Sequence, residues 1–127
     1  MRSILISAMF LCAATSACNS DNDADALGIG AECVATEECE ETTEQECLTD
    51  FKGGYCGIKD CVDNADCPDS SACVTHDDGL NYCFRTCLDK AECNANRSAD
   101  QESNCSASIV FVEERDDNLK ACVPPSG

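Results

Sequence analysis

Residues 61–87 read CVDNADCPDSSACVTHDDGLNYCFRTC, and how this stretch is read decides the fold. It opens with Cys61-x₅-Cys67, steps to Cys73, and closes on Cys83. Between the last two cysteines, Asp78-Gly79 separates Cys73-Val74-Thr75 from Leu80-Asn81-Tyr82-Cys83-Phe84. Such a dipeptide between apolar runs reads as a β-hairpin turn. Cys87 then opens the same pattern again. Working outward, the C-x₅-C segment occurs three times, as CVATEEC at 33–39, CVDNADC at 61–67 and CLDKAEC at 87–93. An aliphatic residue (Val34, Val62, Leu88) follows the first cysteine each time, and an acid (Glu38, Asp66, Glu92) precedes the second. The chain therefore reads as an internal repeat. Its groups are Cys33, Cys39, Cys47, Cys56; Cys61, Cys67, Cys73, Cys83; and Cys87, Cys93, Cys105, Cys122.

The expected fold is small and disulfide-rich. It has three tandem four-cysteine modules, at 33–60, 61–86 and 87–127, each a short turn plus a two-stranded β-hairpin. A C-x₅-C segment is too short for a free helix and predicts one helical or irregular turn. In the first module Gly53-Gly54 marks the hairpin turn. In the third, Ser108–Val112 is the best strand of the chain, with 113–118 as a charged turn and 119–123 as the returning strand. Tyr55 and Tyr82 each precede a fourth cysteine, and the expectation is that they cover disulfides. Four cysteines admit three pairings. First with third and second with fourth is the pairing expected in each group; bridges between neighbouring groups remain open, since Cys56 to Cys61 and Cys83 to Cys87 are short steps.

Composition explains why crosslinks are needed. After residue 17 there are nineteen large apolar residues in 110, with no Trp and no Met. So little apolar surface cannot offset the entropy of ordering that chain, and without cysteines the composition would read as disordered. Disulfides change this by constraining the unfolded ensemble. Zinc is the competing use. Cys56-x₄-Cys61 and Cys83-x₃-Cys87 fit a structural zinc spacing loosely, but no C-x-x-C occurs and His76 is the only histidine. No metal and no other cofactor is expected. The missing C-x-x-C also argues against a thioredoxin-like enzyme.

Residues 1–17 read as a signal peptide: Arg2, an apolar run ILISAMFLCAA at 4–14, then the small residues Thr15, Ser16 and Ala17. The run falls short of the roughly 20 apolar residues of a membrane span. Of fourteen cysteines, Cys12 lies inside the run; thirteen follow from Cys18 onward, and an odd cysteine in an exported chain requires an explanation. If Cys18 carries a lipid, twelve remain for six pairs. The junction T-S-A-C resembles the bacterial lipobox, with Thr15 where an aliphatic residue usually stands. The resemblance implies lipidation at Cys18. Asn19, in the sorting position, implies the outer membrane. The alternative is an ordinary cleaved export signal. Residues 18–32 then form an acidic tether. The formal net charge of −17 becomes −18 without Arg2. Such a chain is expected to avoid nucleic acid, because that affinity comes from Lys and Arg on phosphate; the acidity reads as plain solubility, with the binding of cations or a basic partner as the alternative.

On these residues, the run 61–87 resembles the cysteine-rich repeats of lipoproteins and secreted proteins in myxobacteria and related bacteria. It is similar, more loosely, to the Dickkopf N-terminal and EB-type modules of animals. The resemblance spans roughly residues 30–124 and rests on cysteine spacing and on the acid before the second cysteine. It implies a cell-envelope location and no defined activity. The third group departs from the compact pattern, with eleven and sixteen residues in its inner loops.

Other candidates for chemistry read more simply. Asp21, Asp23, Asp25 and Glu32 fall on calcium-loop positions one, three, five and twelve, but Ala26 replaces the turn glycine and Gly28 the aliphatic residue. Asp60, Asp63, Asp66 and Asp69 surround two cysteines and are expected to face water, as is the run Glu37, Glu38, Glu40, Glu41, Glu44 and Glu46. His76 with Asp77 or Asp78 is expected on a solvent-washed hairpin tip, where general-base catalysis lacks a preorganised site. Asn96-Arg97-Ser98 and Asn104-Cys105-Ser106 match glycosylation sequons that carry no weight in a bacterial lipoprotein. The resulting expectation is a non-catalytic, lipid-anchored envelope protein. It meets the membrane through its lipid and a protein partner through its hairpin loops. The alternative is a secreted disulfide-rich inhibitor or toxin-like effector that uses the 75–81 hairpin.

Overall fold

The computed structural model describes residues 28–125 and Gly127. Cys18, the leader and most of the calcium-like loop lie outside the described residues. The fold is mostly strand with little helix. The strands are β1 (Glu46–Cys47), β2 (Cys56–Lys59), β3 (Ser71–Thr75), β4 (Asn81–Cys87), β5 (Asn104–Ser106), β6 (Val110–Phe111) and β7 (Lys120–Val123). The one α-helical turn among the described residues is α1 (Lys90–Cys93). Short 3₁₀ turns at Thr36–Glu38 and Asn64–Asp66 occupy the other two C-x₅-C segments.

Every strand pairing is antiparallel. The order is β1-β2-β4-β3-β6, and β7 joins β4 to β5. β4 organises the sheet because each cysteine group sends it a partner. β2 pairs at Ile58↔Cys83, β3 runs from Ser71↔Arg85 to Thr75↔Asn81, and β7 pairs at Thr86↔Ala121. The strands thus knit the groups into one sheet.

Six disulfides hold it together: Cys33–Cys47, Cys39–Cys56, Cys61–Cys73, Cys67–Cys83, Cys87–Cys105 and Cys93–Cys122. The central core is aromatic. Phe51, Tyr55, Tyr82 and Phe84 are buried with Leu48, Val74 and Ile29. Tyr82 and Phe84 lie two apart on one face of β4 and stack at 5.5 Å, while Phe51 meets Tyr55, Tyr82 and Phe84 edge-on. To either side the core is almost wholly sulfur. One cluster is Ala31, Cys33, Cys39 and Cys56; the other is Cys87, Cys93 and Cys122.

Two expectations are corrected, and one residue has a further role. Ser108–Val112 does not form a hairpin with 119–123. Group three does make an antiparallel pair, but its arms are β5 and β7 (Cys105↔Cys122), and β6 leaves to pair with β3. Phe111 and Ile109 gain the central aromatic core by that move. Residues 29–31 are not a solvated tether. Ile29 and Ala31 are buried, and the Gly30 and Cys56 N–H groups donate to Cys56 O and Ala31 O. Tyr55 ties the cysteine groups together. Its fully buried hydroxyl accepts from Arg85 N at 3.0 Å and donates to Cys122 O at 3.2 Å, joining all three groups.

Candidate functional site

The repeated acids are positioned by their own turns. Glu38 Oε2 accepts from Val34 N (2.6 Å) and Ala35 N (3.2 Å). Asp66 Oδ2 accepts from Val62 N (2.7 Å) and Asp63 N (3.4 Å), and Glu92 Oε2 from Leu88 N (2.5 Å) and Asp89 N (3.2 Å). Each carboxylate satisfies two amides that a helical turn leaves without partners. The signature is therefore structural. The capping-box spacing Asp63-x-x-Asp66 and Asp89-x-x-Glu92 is the signal that reveals it. Glu40, in the acidic run, likewise accepts from Thr42 Oγ1 and N, which lowers its pKa. The aliphatic residues that share the repeat, Val34, Val62 and Leu88, are exposed.

In each group three sulfurs lie within 4.8 Å of one another: Cys33, Cys39 and Cys56; Cys61, Cys67 and Cys83; Cys87, Cys93 and Cys122. All of them are bridged, so as they stand they offer no thiolate to a metal.

His76 is not washed by solvent. Its side chain is only 12 % exposed and packs edge-on against Phe51 (5.2 Å), Phe84 (5.8 Å) and Tyr82 (6.0 Å). The ring packs among the aromatic side chains although its Nδ1 finds no hydrogen-bond partner among the described residues. Asp78 holds the turn beneath it. Its carboxylate accepts from Tyr82 Oη (2.7 Å) and Leu80 N (2.9 Å), and lies 3.5 Å from His76 Nδ1. Partial burial pushes the Asp78 pKa up, but these two hydrogen bonds and the nearby imidazole outweigh it and leave it lowered. Burial, reinforced by the Asp78 carboxylate, raises the Tyr82 phenol. Asp78 and Tyr82 thus latch the 76–80 turn, with the His76 ring packed on the core beside them.

Arg97, dismissed in the sequence as part of a sequon, is the main residue that sequence reasoning missed. It is 7 % exposed and donates to Gln101 O (2.6 Å), Gly54 O (2.8 Å), Lys52 O (2.8 Å) and Gly30 O (3.4 Å). Beside it, a hollow of about 450 Å³ is lined by Glu32, Val34, Glu38 and Ser98. Its charged groups are already engaged: Glu32 Oε2 accepts from Ser98 N, Glu38 caps its own turn and Arg97 is spent on carbonyls.

The surface with unused capacity lies at the far end of the sheet. There the 76–80 turn and the segment after β5 enclose an open hollow of about 400 Å³, lined by Thr75, His76, Ser106, Ile109, Val110 and Val123. Val110 is 65 % exposed and Val112 38 %. The two valines stand on either side of Phe111, whose ring packs on the core.

Six disulfides in so short a chain form and persist in an oxidising compartment, which places the folded protein outside the cytoplasm. No helix among the described residues is long and apolar enough to cross a membrane. Compared with family models, with curated proteins and with solved structures, the chain has no significant match.

Proposed function

We propose that this is a non-catalytic, lipid-anchored, cysteine-rich protein of the bacterial cell envelope, held at the outer membrane through Cys18. It presents the 76–80 turn and the segment 106–116 to a protein partner. One observation supports the anchor. The twelve cysteines from Cys33 to Cys122 are consumed in six disulfides, so of the fourteen only Cys12 and Cys18 stand outside them. Cys12 lies in the leader and Cys18 at its exit, where a lipid thioether would explain an otherwise unmatched thiol. A non-catalytic role is supported by the engagement of Asp78 in holding a turn and by the burial of His76 against Phe51, Phe84 and Tyr82. The acidic surface disfavours nucleic acid and anionic lipid alike, so the lipid must supply the attachment.

A second reading, a secreted inhibitor or toxin-like effector, is favoured by the bracing of the 76–80 turn. Cys73 and Cys83 face each other across its base, and each is bridged elsewhere. Labelling with radioactive fatty acid separates the two. The anchored protein takes up label, and Cys18→Ala abolishes it. Unlabelled wild-type protein in the medium would overturn the anchor.

A further inference from the structure

β6 ends the strand order β1-β2-β4-β3-β6, and its outer side faces no other strand among the described residues. Its register is Val74↔Phe111 and Thr75↔Val110, and Val112 N donates to Cys73 O at 3.0 Å. In an antiparallel ladder the main-chain groups alternate in direction. Val110 and Val112 therefore direct theirs to β3, and Phe111, with its neighbours Ile109 and Glu113, directs its N–H and C=O outward. The side chains alternate as well. Ile109 and Phe111 pack on the core, whereas Val110 and Val112 stand in solvent. Natural edge strands are usually blunted by Pro, by Lys or by an inward charge. The run Ser108–Val112 has none of these, and only the shortness of β6, two residues, limits the edge.

The geometry points to β6 as a docking edge that accepts an extended, basic segment of a partner protein as an added β-strand. The main chain of that segment would bond to Phe111 N–H and C=O. Its apolar side chains would lie beside Val110 and Val112. Charge selects the occupant. The run leads directly into Glu113, Glu114, Asp116 and Asp117. Glu113 is engaged by Asn64 N, and Arg115 is neutralised by Asp117 while stacking 5.4 Å over Phe111. Glu114 and Asp116 are exposed and make no ion pair among the described residues. A second copy of this chain would bring the same four acids and a like net charge to the edge, so a segment carrying Lys or Arg at alternate positions is the better fit. This deepens the display reading proposed above and rests on it for where the partner is met.

The test uses the full, six-disulfide chain, isotope-labelled, with the probe peptide acetyl-KVTVKVK-amide. The expected result is saturable binding that weakens with added salt, with the largest amide shifts at Ile109, Phe111 and Glu113. A glutamate counterpart, acetyl-EVTVEVE-amide, should bind at least about tenfold more weakly. N-methylation of alternate peptide amides should abolish binding. Val110→Lys, at an exposed position that leaves the fold intact, should weaken the basic probe to a similar degree. Three results would overturn the proposal: no binding, equal binding of the acidic or N-methylated peptide, or shifts centred elsewhere. Concentration-dependent protection of the Phe111 amide without peptide would instead make a second copy the occupant and overturn the basic segment. The fatty-acid experiment is independent. A chain that binds the probe without carrying lipid loses only the anchor, and a lipidated chain blind to the probe loses only the edge.

Discussion

Arg97 shows how a single residue joins distant parts of a thin-cored chain. Its hydrogen bonds all go to main-chain carbonyls, and two of the acceptors lie in the turn Lys52–Gly54, more than forty residues away. Desolvation lowers its pKa, yet guanidinium stays charged at any ordinary pH, so the fork is always available. Lysine cannot reproduce a planar fork. Arg97→Lys should therefore leave at least one buried carbonyl without a donor and cost about 1.5–3 kcal/mol, the range for hydrogen bonds to a charged group. Thermal unfolding with the disulfides intact would measure it; an unchanged midpoint would show the contacts to be incidental. The two tyrosines give a second residue-level prediction. Burial raises both phenols, with the Asp78 carboxylate adding to the effect at Tyr82 and the Arg85 N–H opposing it at Tyr55. A raised folded pKa means that their contribution is fully present below the unfolded value of about 10 and is lost as pH rises toward the folded values. Tyrosinate absorbance should therefore appear only above that pH, together with loss of the near-ultraviolet dichroism. Titration of either phenol near pH 10 in folded protein would refute its burial.

At the scale of elements, the glycines of the turns make the sharpest contrast. Gly54 has φ +67°, and a Cβ there would sit 2.0 Å from Cys33 O, in a place where neither backbone can yield. Gly79 has φ +82° but a Cβ would meet nothing within 4 Å. Gly79→Ala should thus cost only the strain of a left-handed residue, about 1–2 kcal/mol. Gly54→Ala should prevent the Cys33–Cys47 and Cys39–Cys56 bridges from forming together, read as free thiols by mass spectrometry. Equal thiol counts in the two variants would contradict the close approach. Both glycines announce turns in the sequence, but only the folded chain reveals which one is crowded. The same limit applies more widely. The repeat, the helical turns and the hairpin at Asp78-Gly79 were legible because each rests on spacing within a few residues. The destination of β6 was not. Ser108–Val112 is plainly a strand by composition, but its partner is decided by where Ile109 and Phe111 find apolar cover, and that lies on β3. His76 was misplaced for the same reason: nothing local says that Phe51 waits beneath the turn. Glu38, Asp66 and Glu92 were legible as a pattern, and the capping geometry supplies the role the pattern lacked.

For the whole molecule, the question is what replaces a large hydrocarbon core. β4 carries partners from all three cysteine groups, so the sheet cannot be dismantled one group at a time. Outside the aromatic centre, the buried clusters are made of cystine and one alanine. Breaking the disulfides therefore removes both the constraint on the unfolded chain and much of the buried material. Complete reduction should abolish amide dispersion across all described segments together, including the aromatic cluster. The bridges should also differ in weight. Cys93–Cys122 closes the longest loop, with a separation of 29, and Cys61–Cys73 the shortest, at 12. Chain entropy gives about 3.6 kcal/mol for the first and about 2.8 kcal/mol for the second. The gap should widen in practice. Cys122 sits on β7, which pairs with β4, and its carbonyl accepts the Tyr55 hydroxyl, so freeing it loosens the aromatic core as well. Serine pairs at 93 and 122 should lower the unfolding midpoint further than serine pairs at 61 and 73. The reverse order would mean that the central module, rather than the tie between first and last, governs stability. A fully reduced chain that kept its dispersed spectrum would show that packing alone suffices and that sulfur is not what holds this protein together.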